Sequence, residues 1–446
     1  MRLALKIAIV AVMTLAILIP LLMIRGVIHD RERYRAQAVA DVGRSYAGPQ
    51  AFAGPVLTVP YTEVVEVEQP DQYNVVHKVR RTQTRHWTFF PTTLDVRGPM
   101  RPGTRKRGLH EVRVYEWQGV ATARFEAKIP DDGGPTRQIG QPYLSYAIAD
   151  VRGLRTSPRL RVGGRDIALQ EGMGSRVGTG LHVRLGTPAA GQTMTLDTRL
   201  DLVLGGTEQL ALVPLGRSNR FALDAAWPHP SFSGISPRHD IDGTGFRAEW
   251  EIASVATGAQ EQFRDGTSLP KFGGESGPPY GIESVGVALI DPVDIYTLAD
   301  RATKYGLLFV LLTFVGFFIF ELIKQLPIHP IQYGLVGLAL AIFFLLLVSL
   351  SEHVDFLWAY LAASVACVGL LGFYLSAVLR STGRGLGFAA MLATLYAALY
   401  GLLVSEQNAL VMGACLLFLV LATVMVITRK VDWYQLAGSR PVPRVQ

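Results

Sequence analysis

The chain has 446 residues, of which 49% are hydrophobic, and a formal net charge of +7. The apolar residues are concentrated in residues 1–24 and beyond residue 305, which excludes a uniformly soluble protein. Residues 25–304 hold 34 basic against 31 acidic residues, and this near balance gives no case for nucleic-acid binding. Both cysteines, Cys367 and Cys415, lie in apolar runs, so we expect no disulfide in the middle of the chain.

The first apolar run covers residues 3–24 and carries Arg2 and Lys6 at its front. It is long enough to cross a hydrocarbon layer of about 30 Å. A cleaved signal peptide is the alternative, but the run is longer than a usual signal core and no Ala-x-Ala pattern follows it. We therefore predict an uncleaved transmembrane signal anchor over residues 1–26.

Residues 27–304 have the pattern of a large exported domain. A short helix is predicted over about residues 28–46, ending before Gly48. Beyond Pro55 apolar and polar residues alternate with period two, as in His182–Leu185 and Thr195–Leu202, which indicates half-buried strands. No long helical pattern separates them, so we predict a mostly-β, antiparallel, sandwich-like domain. The pattern leaves open whether it forms one sandwich or two.

Five more apolar runs follow within residues 305–428, joined by short links. They predict an up-and-down bundle of five transmembrane helices and a cytoplasmic tail over residues 429–446. The predicted helices cover residues 305–320, 333–350, 356–379, 386–403 and 410–427.

The positions of Lys and Arg predict the orientation of a multi-pass protein. If the N-terminus is cytoplasmic, the basic residues at the front of the first span, in the links 321–332 and 380–385 and in the tail all fall on the cytoplasmic side, and the links 351–355 and 404–409 on the other side contain none. The C-terminus is then cytoplasmic and the large domain periplasmic. The cytoplasmic basic residues would be Arg2, Lys6, Lys324, Arg380, Arg384, Arg429, Lys430, Arg440 and Arg444.

A basic cluster stands out inside the large domain. Arg101, Arg105, Lys106 and Arg107 lie close together beside Gly108. Such a cluster can contact anionic lipid. The alternative, which the charge pattern favours, is a solvated loop.

Motifs for common chemistry are missing from the sequence. It contains no Gly-x-x-x-x-Gly-Lys phosphate loop, no His-Glu-x-x-His zinc helix and no Gly-x-Ser-x-Gly nucleophile elbow. The nine histidines are scattered without close ligand spacing. We accordingly predict no catalytic residues, no metal and no cofactor.

Polar residues at the ends of the predicted spans are the best remaining candidates, because ionisable groups near a bilayer are costly and often functional. The adjacent Glu352 and His353 could relay a proton, bind a metal weakly or dock the β domain. Equally, they could lie among the lipid headgroups. The candidate residues are Glu352, His353, Asp355, Asp294, Arg301, Lys304, Glu321, His329 and Gln332.

Several blocks, in order along nearly the whole chain, resemble the CreD family of bacterial inner-membrane proteins. They are residues 50–61 (QAFAGPVLTVPY), 227–234 (WPHPSFSG), 292–296 (PVDIY), 328–333 (IHPIQY) and 347–353 (LVSLSEH). The resemblance implies an inner-membrane protein concerned with cell-envelope integrity and envelope stress. It implies no catalytic reaction that can be assigned to residues here.

Three functions are compatible with these observations. The sequence favours a non-enzymatic envelope protein whose β domain contacts an unknown periplasmic or membrane protein partner while the helices anchor it in the lipid bilayer. A transporter or flippase of a lipid or envelope precursor is the alternative, disfavoured because no charge lies deep inside the later spans. A membrane-bound hydrolase needs a nucleophile and a base within reach, and the sequence shows no such pair. Oligomeric state is left open.

Overall fold

The computed structural model describes residues 2–70, 76–131, 137–174, 176–272, 279–289, 295–324, 328–405 and 409–429. Contacts divide the chain into two compact units. We call residues 1–34 and 293–446 the membrane unit, and residues 35–292 the β unit.

A single helix, α1, runs from Arg2 to Ser45 and contains Pro20. The sequence predicted two helices here, an anchor and a short exported helix, and the structure joins them into one. The predicted end before Gly48 agrees with the observed end at Ser45. Pro49 follows four residues later, and helical backbone is disfavoured for the residue that precedes a proline, here Gly48.

The β unit is built from two sheets. Among the described residues, the segments between strands include two 3-10 turns (Val151–Gly153 and Ser254–Ala256) and the short helix α2 (Ala259–Arg264). The strands are β1 Gln50–Pro70, β2 Val76–Phe89, β3 Thr93–Arg107, β4 His110–Lys128, β5 Gln138–Ile139, β6 Tyr143–Ile148, β7 Arg159–Val162, β8 Arg165–Ile167, β9 Gln170–Met173, β10 Arg176–Arg184, β11 Thr193–Thr207, β12 Gln209–Val213, β13 Ser218–Ala225, β14 Pro230–Ser233, β15 Arg238–Ile241, β16 Phe246–Ala253, β17 Lys271–Phe272, β18 Pro279–Tyr280 and β19 Val285–Leu289.

The first sheet has the order β14-β19-β12-β1-β6-β10-β9, with β2 and β5 also paired to β1; the second has the order β15-β16-β13-β3-β4-β11-β7-β8. Strands β17 and β18 form a separate pair. Inward-facing residues of both large sheets form one hydrophobic core that includes Phe52, Trp117, Phe221 and Trp250. One shared core means that the two sheets form one sandwich, which settles the choice that the sequence left open.

The structure confirms the predicted mostly-β domain, but two pairings depart from the antiparallel arrangement expected. Strand β1 pairs in parallel with β12, and β3 pairs in parallel with β13. Parallel partners need a long connection between them. Here other strands of the sandwich supply that connection in place of a helix. Alternation within a strand reports its two faces but not the direction of its neighbour, so the sequence pattern could not reveal these pairings.

Five helices follow the β unit: α3 Ile295–Lys324, α4 Pro330–Ser351, α5 Phe356–Val378, α6 Thr382–Val404 and α7 Ala409–Thr428. Together with α1, the helices α3 to α6 are long and apolar enough to cross a membrane. Within the described residues, α7 offers a shorter apolar stretch, Val411–Val426. The structure therefore confirms an N-terminal apolar helix, a mostly-β domain and C-terminal apolar helices, while the crossing by α7 stays a prediction.

Helix α1 packs into the bundle through a stripe of apolar side chains. Ile17, Leu21, Ile24 and Ile28 are all buried and recur every three or four residues. They meet glycines on the neighbouring helices: an added Cβ at Gly337 would lie 2.7 Å from Ile17 Cγ1, and one at Gly306 would lie 3.2 Å from Leu21 Cδ2. Small residues at these positions let helices approach closely.

Candidate functional site

A network of charged side chains joins α1 to α3 and α4 within the membrane unit. Arg31 Nε lies 3.5 Å from Glu352 Oε1, and the Tyr296 hydroxyl donates to the same oxygen at 3.3 Å. We call these residues, with Arg25, Asp300 and Lys304, the Glu352 network. Glu352 is the residue that caps the C-terminal end of α4, and only 7% of its side chain is exposed.

The second half of the Glu352 network is centred on Asp300. Arg25 Nε donates to Asp300 Oδ1 at 3.0 Å, and Lys304 Nζ lies 2.7 Å from Asp300 Oδ2, one helical turn further along α3. Asp300 is 18% exposed. Each of the two carboxylates is thus held by a cation of α1 and by a second group, which fixes α1 against α3 and α4.

The residues predicted beside Glu352 do not join it. His353 is exposed, and its Nδ1 lies 3.1 Å from the Ser349 carbonyl oxygen. Asp355 precedes α5, and its side chain makes no capping hydrogen bond there. Glu352 faces Arg31 and Tyr296 instead. The arrangement therefore lacks the Glu–His pair that a proton relay at this turn would use.

Two predicted residues at the other end of α4 have a structural role. The His329 side chain accepts from the Ile331 N–H at 3.3 Å, and the Gln332 side chain accepts from the His329 N–H at 3.1 Å. This is a capping box with Pro330 in the first helical turn. Because His329 Nδ1 is the acceptor, a neutral ring carries its proton on Nε2.

Glu321 is buried near the end of α3, and the Tyr333 hydroxyl donates to its Oε2 at 2.9 Å. This contact joins α3 to α4, as the Glu352 network does at the opposite ends of these helices. Arg301 is half-buried on α3 beside Asp300. The remaining predicted residue, Asp294, lies outside the described residues. Among the described residues no three His, Cys, Asp or Glu side chains come together as a metal site.

Arg25, Arg31 and Tyr296 were not among the residues predicted from the sequence. A signal was present for Arg31, because it continues the three-and-four spacing of the buried stripe that ends at Ile28. A charged residue on the packing face of a helix needs a partner. Which residue supplies that partner depends on the tertiary arrangement and cannot be taken from spacing.

A second polar cluster, also missed, holds the end of α1 within the β unit. Arg152 donates to both Asp150 carboxylate oxygens, at 2.9 and 2.7 Å, and to the Arg44 carbonyl at 3.0 Å. The Gly48 N–H donates to Asp150 Oδ2 at 3.3 Å. These bonds, chiefly those from Arg152, lower the pKa of Asp150 from its ordinary value despite partial burial. The Arg152 guanidinium also lies at the C-terminal end of α1, where the last carbonyl oxygens carry partial negative charge, so its positive charge stabilises the helix end. We call this the helix-end cluster.

The β unit also contains a cavity of about 440 Å³ whose lining includes Met173, Phe263, Leu269 and Ile282. The lining is mainly apolar, and Lys271 lies at it. Such a cavity is of the size that takes small apolar ligands. None of the residues predicted from the sequence lines it.

Comparison with known proteins agrees with the resemblance noted in the sequence. A family model described as "Inner membrane protein CreD" matches residues 2–434. The Inner membrane protein CreD of Escherichia coli (strain K12) is 34% identical over 424 residues, which cover 94% of this chain and 91% of that protein.

Proposed function

The chain belongs to the CreD family of inner-membrane proteins, and we propose that it supports cell-envelope integrity, without catalysing a reaction, through its β unit. The bundle anchors it in the lipid bilayer. Its partner is a periplasmic or membrane protein of the envelope.

The observation that carries the proposal is helix α1. It is one continuous helix from Arg2 to Ser45, held by the Glu352 network in the membrane unit and by the helix-end cluster in the β unit. The acidic residues that first suggested chemistry are thereby engaged in holding a helix. Such an arrangement suits a protein that presents a domain from a membrane anchor.

The same proposal includes the orientation. We propose that both termini are cytoplasmic and that the β unit is periplasmic, because this places the basic residues of the chain ends and of the links 321–332 and 380–385 on the cytoplasmic side and leaves the opposite short links without any. A cysteine at Val177, which is fully exposed, tests it in a Cys415→Ser background. A membrane-impermeant maleimide should label this cysteine in intact spheroplasts; labelling only after lysis contradicts the orientation.

A rescue experiment tests the function. The host lacks its own family member and has become detergent-sensitive, and the native chain is expected to restore resistance. Because Glu352 and His353 do not contact each other, they are changed separately. Glu352→Gln should weaken rescue at equal membrane levels, whereas His353→Ala, at an exposed neighbouring position, should rescue fully and serves as the matched control.

Two results would overturn the proposal. One is a native chain that reaches the membrane in normal amounts and leaves detergent sensitivity unchanged. The other is specific flux of a labelled lipid into or across vesicles containing the purified chain, against none in protein-free vesicles. That flux would favour a transporter or flippase.

A further inference from the structure

The end of the β3–β4 hairpin carries a strong positive charge. Residues 101–113 contain five basic residues against the single acidic residue Glu111. The segment is not the loop predicted from sequence, because β3 and β4 stay paired to Arg107 and His110. At the tip Leu109 is 60% exposed. We call residues 101–113 the basic tip.

Contacts with α1 show which way the basic tip points. The Tyr46 hydroxyl lies 3.4 Å from the Tyr115 carbonyl oxygen, and Arg107 Nε lies 3.6 Å from Asp41 Oδ2. In the same region Ala38 and Val42 pack with Val112 and Val114. The hairpin therefore runs beside α1 toward lower residue numbers, the direction in which the helix becomes apolar.

The hairpin extends a considerable distance along the helix. A strand rises about 3.3 Å per residue, so the path from Tyr115 to Leu109 covers about 20 Å. Arg107, two residues before Leu109, lies beside Asp41 of α1. Within the β unit the tip thus lies next to the part of α1 that leads, in sequence, back to the apolar residues 3–24.

The side chains of the basic tip keep their charge accessible. Lys106 lies 3.0 Å from Glu111 and Arg107 lies 3.6 Å from Asp41, yet they are 77% and 65% exposed. The Arg105 guanidinium lies over the Tyr46 ring, 4.9 Å from its centroid. These contacts orient the cations without neutralising the segment, and basic segments beside a membrane are attracted to anionic headgroups.

We propose that the basic tip binds the phosphate headgroups of anionic phospholipid in the leaflet from which α1 emerges, and that Leu109 enters the interface beside them. Strands β3 and β4 are central in the second sheet. The contact does not depend on which side of the membrane the β unit occupies.

Fluorescence quenching in nanodiscs tests this with the full chain. A Leu109→Cys variant in a Cys415→Ser background is labelled with an environment-sensitive dye; Cys367 is buried. The matched control carries the dye at Lys128→Cys, which is exposed at the opposite end of β4. The discs contain a spin-labelled lipid as quencher, with phosphatidylcholine alone or mixed with phosphatidylglycerol.

We expect the dye at position 109 to be quenched several-fold more in discs with phosphatidylglycerol, and the dye at position 128 to be unquenched in both. Replacing Arg105, Lys106 and Arg107 by Gln should abolish the difference. The matched control replaces Arg159, Arg161 and Arg165 by Gln. These lie in the β7–β8 hairpin, where Arg159 pairs with Asp201 and so lies level with the middle of β4. This control should leave the difference unchanged.

Three outcomes would overturn the proposal: no quenching at position 109, equal quenching with and without phosphatidylglycerol, or quenching that survives loss of the three tip charges. Equal quenching would mean that only the apolar side chain inserts. All six substituted residues are exposed, so the variants are expected to fold, and unchanged circular dichroism verifies this.

Discussion

Ion pairs of two contrasting kinds can be compared, one from each unit. In the membrane unit Arg25–Asp300 joins residues 275 positions apart and links α1 to α3. In the β unit several pairs, such as Arg97–Asp95 and Arg199–Asp201, join residues two positions apart on exposed strand surface. We therefore expect that removing the former weakens the contact between helices, whereas removing the latter alters only a surface.

The difference has a physical cause. Burying apolar side chains away from water drives the two sheets together. Helices already in lipid gain little from such burial, because lipid tails are as apolar as the side chains. Close approach at Gly306 and Gly337, together with polar contacts at the helix ends, then decides which helices meet.

The largest expected effect comes from matched truncations of two fully buried phenylalanines. Phe221 lies in the core of the sandwich and Phe314 in that of the bundle. Phe221→Ala should lower the free energy of unfolding by about 3–5 kcal/mol, because both the transfer of the side chain out of water and its packing contacts are lost. Phe314→Ala should cost less, because an unpacked helix keeps this side chain in lipid. Amide hydrogen exchange of β13 and of α3 in nanodiscs measures the two losses separately.

A Phe314→Ala loss as large as that of Phe221→Ala would contradict the comparison. Packing alone would then hold the bundle as firmly as water-driven burial holds the sandwich. Faster amide hydrogen exchange in the unit that carries no substitution would also contradict the view that the two units are stabilised separately.

Most of the fold follows from patterns that the sequence displays, and most of the polar contacts do not. Apolar runs mark the helices and alternation marks strands such as β11, because both reflect local burial. The start of α4 was partly detectable, since Pro330 in the first turn and Gln332 before an apolar run are typical of a helix start, although His329 is not a usual capping residue. The Arg31–Glu352 pair and the parallel β1–β12 pairing depend on chain segments far apart in sequence.

The next largest loss of stability is expected from substitutions in the Glu352 network, and it shows whether this network holds α1 in place. Arg31→Met leaves the nearly buried Glu352 carboxylate without its cation, and Glu352→Gln removes the charge. Since Arg31 is 41% exposed, each single substitution should lower stability by about 1–3 kcal/mol, less than is lost on breaking a fully buried pair. The double variant should cost less than the sum of the single ones. Thermal unfolding of the four chains in detergent completes this double-mutant cycle, and strict additivity would show that the two side chains do not interact.

The helix-end cluster should respond to pH. The pKa of Asp150 is lowered in the folded state, so its contribution is present above the unfolded value of about 3.9 and is lost as the pH falls through the folded pKa. Asp150→Asn should therefore lower stability by about 1 kcal/mol near neutral pH. The difference in stability between this variant and the native chain should disappear as the pH falls below about 4. Melting temperatures of both chains across this range measure it, and a constant gap would assign the loss to geometry and not to charge.

The smallest effect is expected at the Arg199–Asp201 pair on β11. Its Nη2–Oδ1 distance is 2.8 Å, shorter than the 3.5 Å of Arg31–Glu352, but the side chains are 48% and 33% exposed. Water and salt screen such a pair, so Arg199→Gln with Asp201→Asn should change stability by less than about 0.5 kcal/mol. Net charge is unchanged, which makes this variant the control for the Arg31 and Glu352 cycle. A loss as large as that of Arg31→Met, measured in the same detergent, would mean that distance and not burial sets the strength of ion pairs in this protein.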